Sequence, residues 1–266
     1  MKTSGILANL IWPILYILIN ANSTYGNPIS TAIDPELSAG MFEGDMILTP
    51  AQESMLRGGD LGRNGLVDET KRWPNAVVYY KIVGDFDAIH RQAILEAIEV
   101  LESRTCLKFH QASDDAKRYV AISSKTGGCF TAVGYQAKVQ TMNLENYPIG
   151  EGCFRPGTIL HEFMHALGFY HQQSDSNRDE YIQVVYDNIV PGKEANFEKY
   201  DASFVTDFDV GYDYESCLHY STRAFSKNGD DTIVPLDPNA RIGQREHMSK
   251  KDIDKINIMY KCPILL

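Results

Sequence analysis

Three histidines and a glutamate lie close together in the run from His161 to His171. If this stretch is helical, His161 and His165 extend from the same face, so that two imidazole nitrogens can bind one Zn²⁺. Glu162 lies beside them, where a carboxylate can accept a proton from a water activated by the metal. Gly168 permits the turn that ends the helix and brings back His171 as a third ligand. Three protein ligands leave one position open, which is typical of a catalytic zinc site.

The residues around this run predict the elements that position it. A helix that starts near Thr158 would bury its apolar side chains around the metal-facing stripe. Upstream, β-branched and aromatic residues predict strands at 76–83 and 119–123. Strands that precede the histidines, and irregular sequence that follows them, favour an α+β fold in two lobes with the zinc between them.

Two further helices are indicated by caps and by apolar spacing. Asp87 can cap a helix that extends to about Ser103. Its predicted buried face carries Ile89, Ala93, Ile94, Ala97, Ile98 and Leu101. Ser249 resembles the start of a last helix. The apolar residues of that helix at helical spacing are Ile253, Ile256 and Met259.

The N-terminal region has the layout of a secretory signal peptide. Lys2 precedes an apolar stretch at 6–19, and small and polar residues follow between Ala21 and Gly26. The apolar stretch is shorter than the ~20 residues that a membrane span needs. We therefore predict a signal peptide at 1–23 and a soluble, secreted, extracellular protein.

Residues 27–63 are rich in Gly, Pro, Asp and Ser, and their lack of periodicity predicts an irregular segment. This segment ends at Arg63-Asn64, a basic site that a trypsin-like protease can cut. The boundaries that follow are a propeptide at 24–63 and a catalytic domain at 64–266.

Composition limits the classes of partner and the oxidation state of the thiols. A formal charge of −10 and no basic run argue against nucleic acid as the main partner. The chain has five cysteines, and secretion permits disulfides. Four of them can pair in three ways, and the odd number leaves one thiol without an internal partner.

At this point the motifs identify a family. The run from His161 to His171, followed by Arg178-Asp179-Glu180-Tyr181, resembles the signature of the astacin family of metzincin zinc endopeptidases. Supporting motifs in the family's order extend the resemblance from about Asn64 to Cys262. They are Leu66-Val67-Asp68-Glu69, Trp73-Pro74-Asn75, Gly127-Gly128-Cys129, the stretch Tyr212 to Tyr220, and Gly243-Gln244-Arg245.

The resemblance implies a metzincin-like domain whose upper lobe holds a twisted sheet and the zinc helix, above an irregular lower lobe. It implies disulfides Cys106–Cys262 and Cys129–Cys153, which leaves Cys217 as the free thiol. Tyr220 aligns with a tyrosine that acts as a mobile fifth zinc ligand and catalytic hydrogen-bond donor. The stretch 42–45 resembles the family's latency motif, in which Asp45 would bind zinc in the zymogen only.

Three positions depart from the family's pattern. Gln172 stands where a glutamate usually pairs with the new N-terminal amine after activation, so we expect looser ordering of that terminus unless Gln173 or Asp175 substitutes. Leu218 replaces the methionine beneath the zinc, a swap of similar volume that should preserve function. Asp175 and Asn177 replace the more usual Arg and Asp, with no effect that we can derive.

The sequence therefore predicts a monomeric zinc endopeptidase that binds one Zn²⁺ per chain and is activated by a trypsin-like protease. Its substrates would be proteins or peptides, hydrolysed at internal bonds with Glu162 as general base. The alternative is a catalytically reduced relative that binds extended peptides or matrix components. The presence of every zinc histidine and of Glu162 favours the enzyme.

Overall fold

The computed structural model describes residues 34–56, 68–200 and 206–263. In chain order, its helices and strands are α1 (Pro35–Ser38), β1 (Met46–Ile47), α2 (Pro50–Leu56), β2 (Val77–Ile82), α3 (Ala88–Arg104), β3 (Lys108–Gln111), β4 (Tyr119–Ser123), β5 (Cys129–Ala132), β6 (Val139–Leu144), α4 (Pro156–Leu167), β7 (Ile182–Val184), β8 (Ile233–Pro235) and α5 (Lys250–Met259). Single 3-10 turns lie at Glu69–Lys71, Pro74–Ala76, Gly152–Phe154, Gln172–Ser174, Arg178–Glu180, Tyr186–Asn188 and Glu194–Phe197.

A mixed sheet carries the first half of the described chain. Its strand order is β1-β5-β6-β4-β2-β3, in which β5 and β6 are antiparallel and the other neighbours are parallel. Strand β1 forms one edge and pairs with β5, with Met46 opposite Thr131. Strands β7 and β8 form a separate antiparallel pair. The predicted strands at 76–83 and 119–123 are β2 and β4.

Helix α3 confirms the predicted cap and most of the predicted buried face. The Asp87 carboxylate accepts a hydrogen bond from the backbone N–H of His90. The buried residues of the helix are Ile94, Ala97, Ile98 and Leu101. The prediction was wrong for Ile89, which is 65% exposed. At 3.6 residues per turn Ile89 lies about 130° from the centre of this buried stripe, so the predicted face was too wide.

Helix α4 carries the histidine run and starts at Pro156, two residues before the predicted start. Proline suits the first position of a helix because that position has no intrahelical acceptor for an N–H. All residues from Gly157 to Leu167 are buried. The helix ends at Gly168, whose φ of 110° lies in the left-handed region that glycine tolerates. The predicted turn after Leu167 is therefore present.

Helix α5 begins as predicted after Ser249, whose hydroxyl accepts from the backbone N–H of Asp252 while the Asp252 carboxylate accepts from that of Ser249. Its buried face holds Ile256 and Met259 together with two charged residues, Asp252 and Lys255.

The prediction that 27–63 is irregular was wrong for the part that the structure describes, residues 34–56. Asp34 caps α1, and the short strand β1 and helix α2 follow. The sequence of this stretch has no periodicity that would predict these elements. Strand β1 is instead held in place by its hydrogen bonds to β5, which is distant in the chain. Backbone donors on β5 and just after it, Thr131 and Val133, bind the carbonyls of Asp45 and Ile47.

The buried apolar side chains of the described residues form two clusters. The mixed sheet and the helices confirm the predicted α+β class. The larger cluster joins the sheet, α3, α4 and α5. The smaller surrounds the β7–β8 pair and consists of Ile182, Ile189, Phe197, Tyr212, Tyr220, Ala224, Phe225 and Ile233.

Disulfides join Cys106 to Cys262 and Cys129 to Cys153. The first links the end of α3 to the chain beyond α5, and the second links β5 to the turn before α4. Cys217 is a buried free thiol. Over the described ranges, no helix is both long enough and apolar enough to cross a membrane.

Candidate metal centre

Helix α4 and the backbone around it fix the orientation of two imidazoles. The Nδ1 atom of His161 lies 2.7 Å from the carbonyl oxygen of Cys217. The Nδ1 atom of His165 lies 2.7 Å from the carbonyl oxygen of Phe169. A carbonyl can only accept, so each Nδ1 carries the proton and each Nε2 presents a lone pair. Both rings therefore face one point as ligands.

The turn at Gly168 returns His171 to the same point. Its Nδ1 atom is 2.8 Å from the carboxylate of Glu43, which also accepts from the hydroxyls of Ser174 and Tyr200. Glu43 is 1% exposed. It belongs to residues 34–56, the described part of the predicted propeptide, which we call the N-terminal segment. A carboxylate partner on the distal nitrogen orients a histidine ligand and raises its basicity.

Asp45 completes the cluster. Its Oδ2 atom lies 3.1 Å from Nε2 of His161 and 3.3 Å from Nε2 of His171, and its Oδ1 atom lies 3.5 Å from Nε2 of His165. The Nε2 atoms of His161 and His165 are 2.9 Å apart. Ligands of tetrahedral zinc at about 2.0–2.1 Å are roughly 3.3 Å from one another, so three imidazoles and one carboxylate fit Zn²⁺.

The backbone of the N-terminal segment holds Asp45 in place. Its carbonyl accepts from the backbone N–H of Thr131 at 2.8 Å, and the next residue, Met46, is in register with Thr131 on β5. Gly44, with φ of 97°, makes the turn that precedes it, where an added Cβ would lie 2.6 Å from the carbonyl oxygen of Glu36. Burial alone would raise the pKa of Asp45, but His171, His161 and His165 hold it well below its usual range.

Glu162 is fully buried next to the cluster. Its Oε2 atom accepts a hydrogen bond from the Thr131 hydroxyl at 2.6 Å, while Oε1 has no hydrogen-bond partner among the described residues. Burial and the nearby Asp45 raise the pKa of Glu162 well above its usual range. A carboxyl group with a raised pKa is suited to exchange protons near neutral pH.

Tyr220 is in contact with the cluster but binds the N-terminal segment in this structure. Its ring centroid is 4.8 Å from that of His171, and its hydroxyl donates to the backbone carbonyl of Glu43. Burial raises the pKa of this phenol well above its usual range. The role of Tyr220 as a fifth ligand stays a prediction.

A second buried carboxylate from the N-terminal segment was missed by the sequence reasoning. Glu36 is 1% exposed, and its carboxylate accepts from Nε of Arg245 at 2.7 Å, from Arg155 at 3.2 Å and from the Thr158 hydroxyl at 2.6 Å. Gly157 lets the Arg245 backbone approach the helix start, because a Cβ there would lie 2.1 Å from the Arg245 carbonyl carbon. Arg245 belongs to a family motif, but nothing near Glu36 in the sequence signals its partners.

The residue after the third histidine has an unexpected partner. The buried Lys255 donates from Nζ to Oε1 of Gln172 at 2.6 Å, and the Gln172 amide faces Asp175 at 3.4 Å. Burial lowers the pKa of Lys255, and Asp252 is the largest opposing influence. The position next to His171 therefore already contacts an ammonium group. Asn64 and the Arg63-Asn64 junction lie outside the described residues.

Two other residues that the sequence singled out, Leu218 and Cys217, are buried. Leu218 is 3% exposed and its carbonyl accepts from the backbone N–H of Gln172 at 3.1 Å. The sulfur of Cys217 lies 3.4 Å from that of Met164, and burial raises the pKa of its thiol well above the usual range. Cys217 contributes to the site through its carbonyl, not through its sulfur.

Comparisons with known proteins agree with this geometry. Residues 65–261, which include the three histidines and Glu162, match the model of the peptidase family described as Astacin. Seminal metalloprotease 1 of Drosophila melanogaster is 47% identical over 235 residues, 86% of this chain and 90% of the relative. Zinc metalloproteinase nas-4 of Caenorhabditis elegans is 38% identical over 83% of this chain and 69% of the relative.

A solved structure is also similar. High choriolytic enzyme 1, a hatching enzyme zinc-protease of the medaka fish Oryzias latipes, is 34% identical with a TM-score of 0.65, over 72% of this chain and 94% of the other.

Gln172→Glu should stabilise the uncleaved chain, because Lys255 would gain a charged partner in place of an amide. We expect a higher melting temperature before activation, and the gain should disappear in a Lys255→Met background, where a buried carboxylate is left unpaired. Thermal unfolding of the wild type, the two single variants and the double variant measures this. A gain that appears only after cleavage would assign the pairing to the new N-terminus instead.

Proposed function

This chain belongs to the astacin family of peptidases and is a zinc metalloendopeptidase; from that premise we propose that it is secreted as a zymogen and hydrolyses internal peptide bonds after its N-terminal segment is removed. The observation that carries the proposal is the position of Asp45 among His161, His165 and His171. A carboxylate there takes the coordination position that a catalytic zinc needs for water.

Latency would rest on three carboxylates of one short segment. Asp45 faces the histidines, Glu43 binds the distal nitrogen of His171, and Glu36 is held by two arginines. The three are buried, so each depends on its partners for compensation of the desolvation cost. Cleavage at Arg63-Asn64 by a trypsin-like protease would release the segment that carries all of them.

The edge of β5 supports binding of an extended substrate. In this structure β1 occupies that edge through the backbone N–H groups of Thr131 and Val133. Removal of β1 would expose these donors directly beside Glu162 and the histidines. An extended peptide can pair with such an edge, which would bring its backbone to the metal.

The positions of the side chains support the catalytic roles that we propose. His161, His165 and His171 would hold Zn²⁺, which would supply a Lewis acid for the carbonyl and a lowered pKa for a water. Glu162 would take the proton of that water and pass it to the leaving amine. Loss of the Glu43 carbonyl would free the Tyr220 hydroxyl to bind the metal or to donate to the oxyanion of the substrate.

Secretion is supported by the signal-like N-terminus and by two disulfides, which form in oxidising compartments. The predicted signal peptide at 1–23 lies outside the described residues. A monomer and a trypsin-like activator remain part of the proposal.

The pocket that holds Glu36 also suggests a substrate preference. Arg245, Arg155 and the Thr158 hydroxyl stay in the protease after the segment leaves. We propose that they then receive an acidic side chain of the substrate, because the buried Arg245 guanidinium needs a counter-charge and the half-buried Arg155 lies beside it.

Glu162→Ala should abolish hydrolysis while zinc content is retained. The test is cleavage at Arg63 with trypsin, followed by casein hydrolysis with and without a chelator. We expect a loss of at least about 100-fold, since general acid–base catalysis contributes 10²–10⁴-fold. Glu53→Ala, in the released segment, is the matched control and should be as active as the wild type. Equal activity in wild type and Glu162→Ala would contradict the mechanism.

Glu36→Gln should lower the stability of the uncleaved chain near neutral pH and less so in acid. Burial alone would raise the pKa of Glu36, but Arg245, His161 and Arg155 lower it to about 2. A carboxyl group whose pKa is lower in the folded than in the unfolded chain stabilises the fold at pH values above its unfolded pKa, which is 4.5 here. This contribution, on the order of 3 kcal/mol, is lost as the pH falls towards the folded pKa of about 2.

The difference in melting temperature between wild type and Glu36→Gln should therefore shrink as the pH falls from 6 to 3. Glu53→Gln, an exposed glutamate of the same segment, should show no such pH-dependent difference. A difference that is constant over this range would show that the charge of Glu36 does not hold the segment.

Arg155→Gln should weaken a preference for acidic substrates in the activated enzyme. With peptides that place Asp or Asn at one position at a time, we expect one position where Asp raises kcat/KM about 10-fold over Asn, as a charged hydrogen bond supplies about 1.5–3 kcal/mol. Arg155→Gln should reduce that ratio, and the exposed Arg118→Gln should not. Equal rates for Asp and Asn at every position would refute the preference.

A further inference from the structure

The general-base carboxylate has one protein hydrogen bond within the described residues, and its donor is a threonine far away in sequence. The hydroxyl of Thr131, on β5, lies 2.6 Å from Oε2 of Glu162, on α4. Both side chains are 0% exposed. The threonine hydroxyl is the donor and the carboxylate oxygen is the acceptor.

Packing alone gives no reason for this hydroxyl. Valine has the same shape, favours strands equally and carries no polar group that must be desolvated. The neighbouring buried position on the same strand face is Cys129, whose sulfur is in a disulfide. That sulfur is not a hydrogen-bond partner of the Thr131 hydroxyl. The Thr131 hydroxyl is satisfied by Glu162 and by no other described residue.

The bond also separates the two oxygens of the carboxylate. Oε2 is occupied by Thr131, and Oε1 is left without a partner among the described residues. Both partners belong to the part of the chain that remains after cleavage at Arg63, so the bond does not depend on the N-terminal segment. The backbone N–H of Thr131, in contrast, binds the Asp45 carbonyl, while the strand itself pairs with β6.

We propose that Thr131 is a positioning residue for the general base. By donating to Oε2, its hydroxyl holds the Glu162 carboxylate in one rotamer and directs Oε1 to the proton that is transferred. The proposal rests on the proposed peptidase function. The same residue would connect substrate and base, since its N–H lies on the strand edge and its hydroxyl lies on the carboxylate.

The first test compares Thr131→Val and Thr131→Ser in the full chain after cleavage with trypsin. Thr131→Val should lower kcat about 10- to 100-fold while KM changes less than twofold and zinc content is unchanged. Thr131→Ser keeps the hydroxyl and should restore most of kcat. Thr141→Val, an exposed threonine on the neighbouring strand β6, is the matched control. Wild-type kcat in Thr131→Val, or equal losses in Val and Ser, would overturn the proposal.

The second test does not require activity. In the uncleaved chain, the melting temperatures of Thr131→Val, Glu162→Ala and the double variant form a double-mutant cycle, in which each single variant removes the bond. Each single variant leaves one polar partner unpaired, so a direct bond predicts that the double variant is more stable than the sum of the two single changes. Additive changes would contradict the pairing even if the activated enzyme is inactive, so failure of the peptidase function and failure of this inference are distinguishable.

Discussion

The structure depends on the meeting of four buried ligand atoms from distant parts of the chain. Three imidazole nitrogens of α4 and the following turn converge with a carboxylate oxygen of Asp45. A buried carboxylate is costly unless opposite charge or a metal compensates it. This requirement explains why the short N-terminal segment is ordered although its own helices and strand are too short to be stable alone.

The need to compensate a buried carboxylate also applies to two other residues of the N-terminal segment, Glu43 and Glu36. Glu43 and Glu36 are each enclosed by donors from the protease, so the segment is held by three separate charge-compensating contacts. Strand β1 adds backbone hydrogen bonds to β5. One segment therefore places its carboxylates among the three histidines and in the arginine pocket, and its strand β1 along the edge of β5.

Prediction from sequence succeeded where local geometry decides the outcome. The caps of α3 and α5, the strands β2 and β4, and the turn at Gly168 are each signalled by residues within a few positions. The prediction for Ile89 was wrong because it grouped apolar residues by their spacing in the sequence and did not consider the angular position of each one around the helix axis. The N-terminal segment was misjudged because its order arises from contacts with residues that are distant in the chain.

By itself, the sequence determined a zinc site, because His161 and His165 lie on one face of a helix with Glu162 beside them. The resemblance to the astacin family came from the further motifs, such as Arg178 to Tyr181 and Gly243 to Arg245. Only the tertiary structure decided which groups surround that site. Glu36 and Arg245 are 209 residues apart, Thr131 and Glu162 are 31 apart, and Gln172 and Lys255 are 83 apart. No helical or strand period links such pairs, since side chains at these separations meet only through the packing of the sheet, α4 and α5.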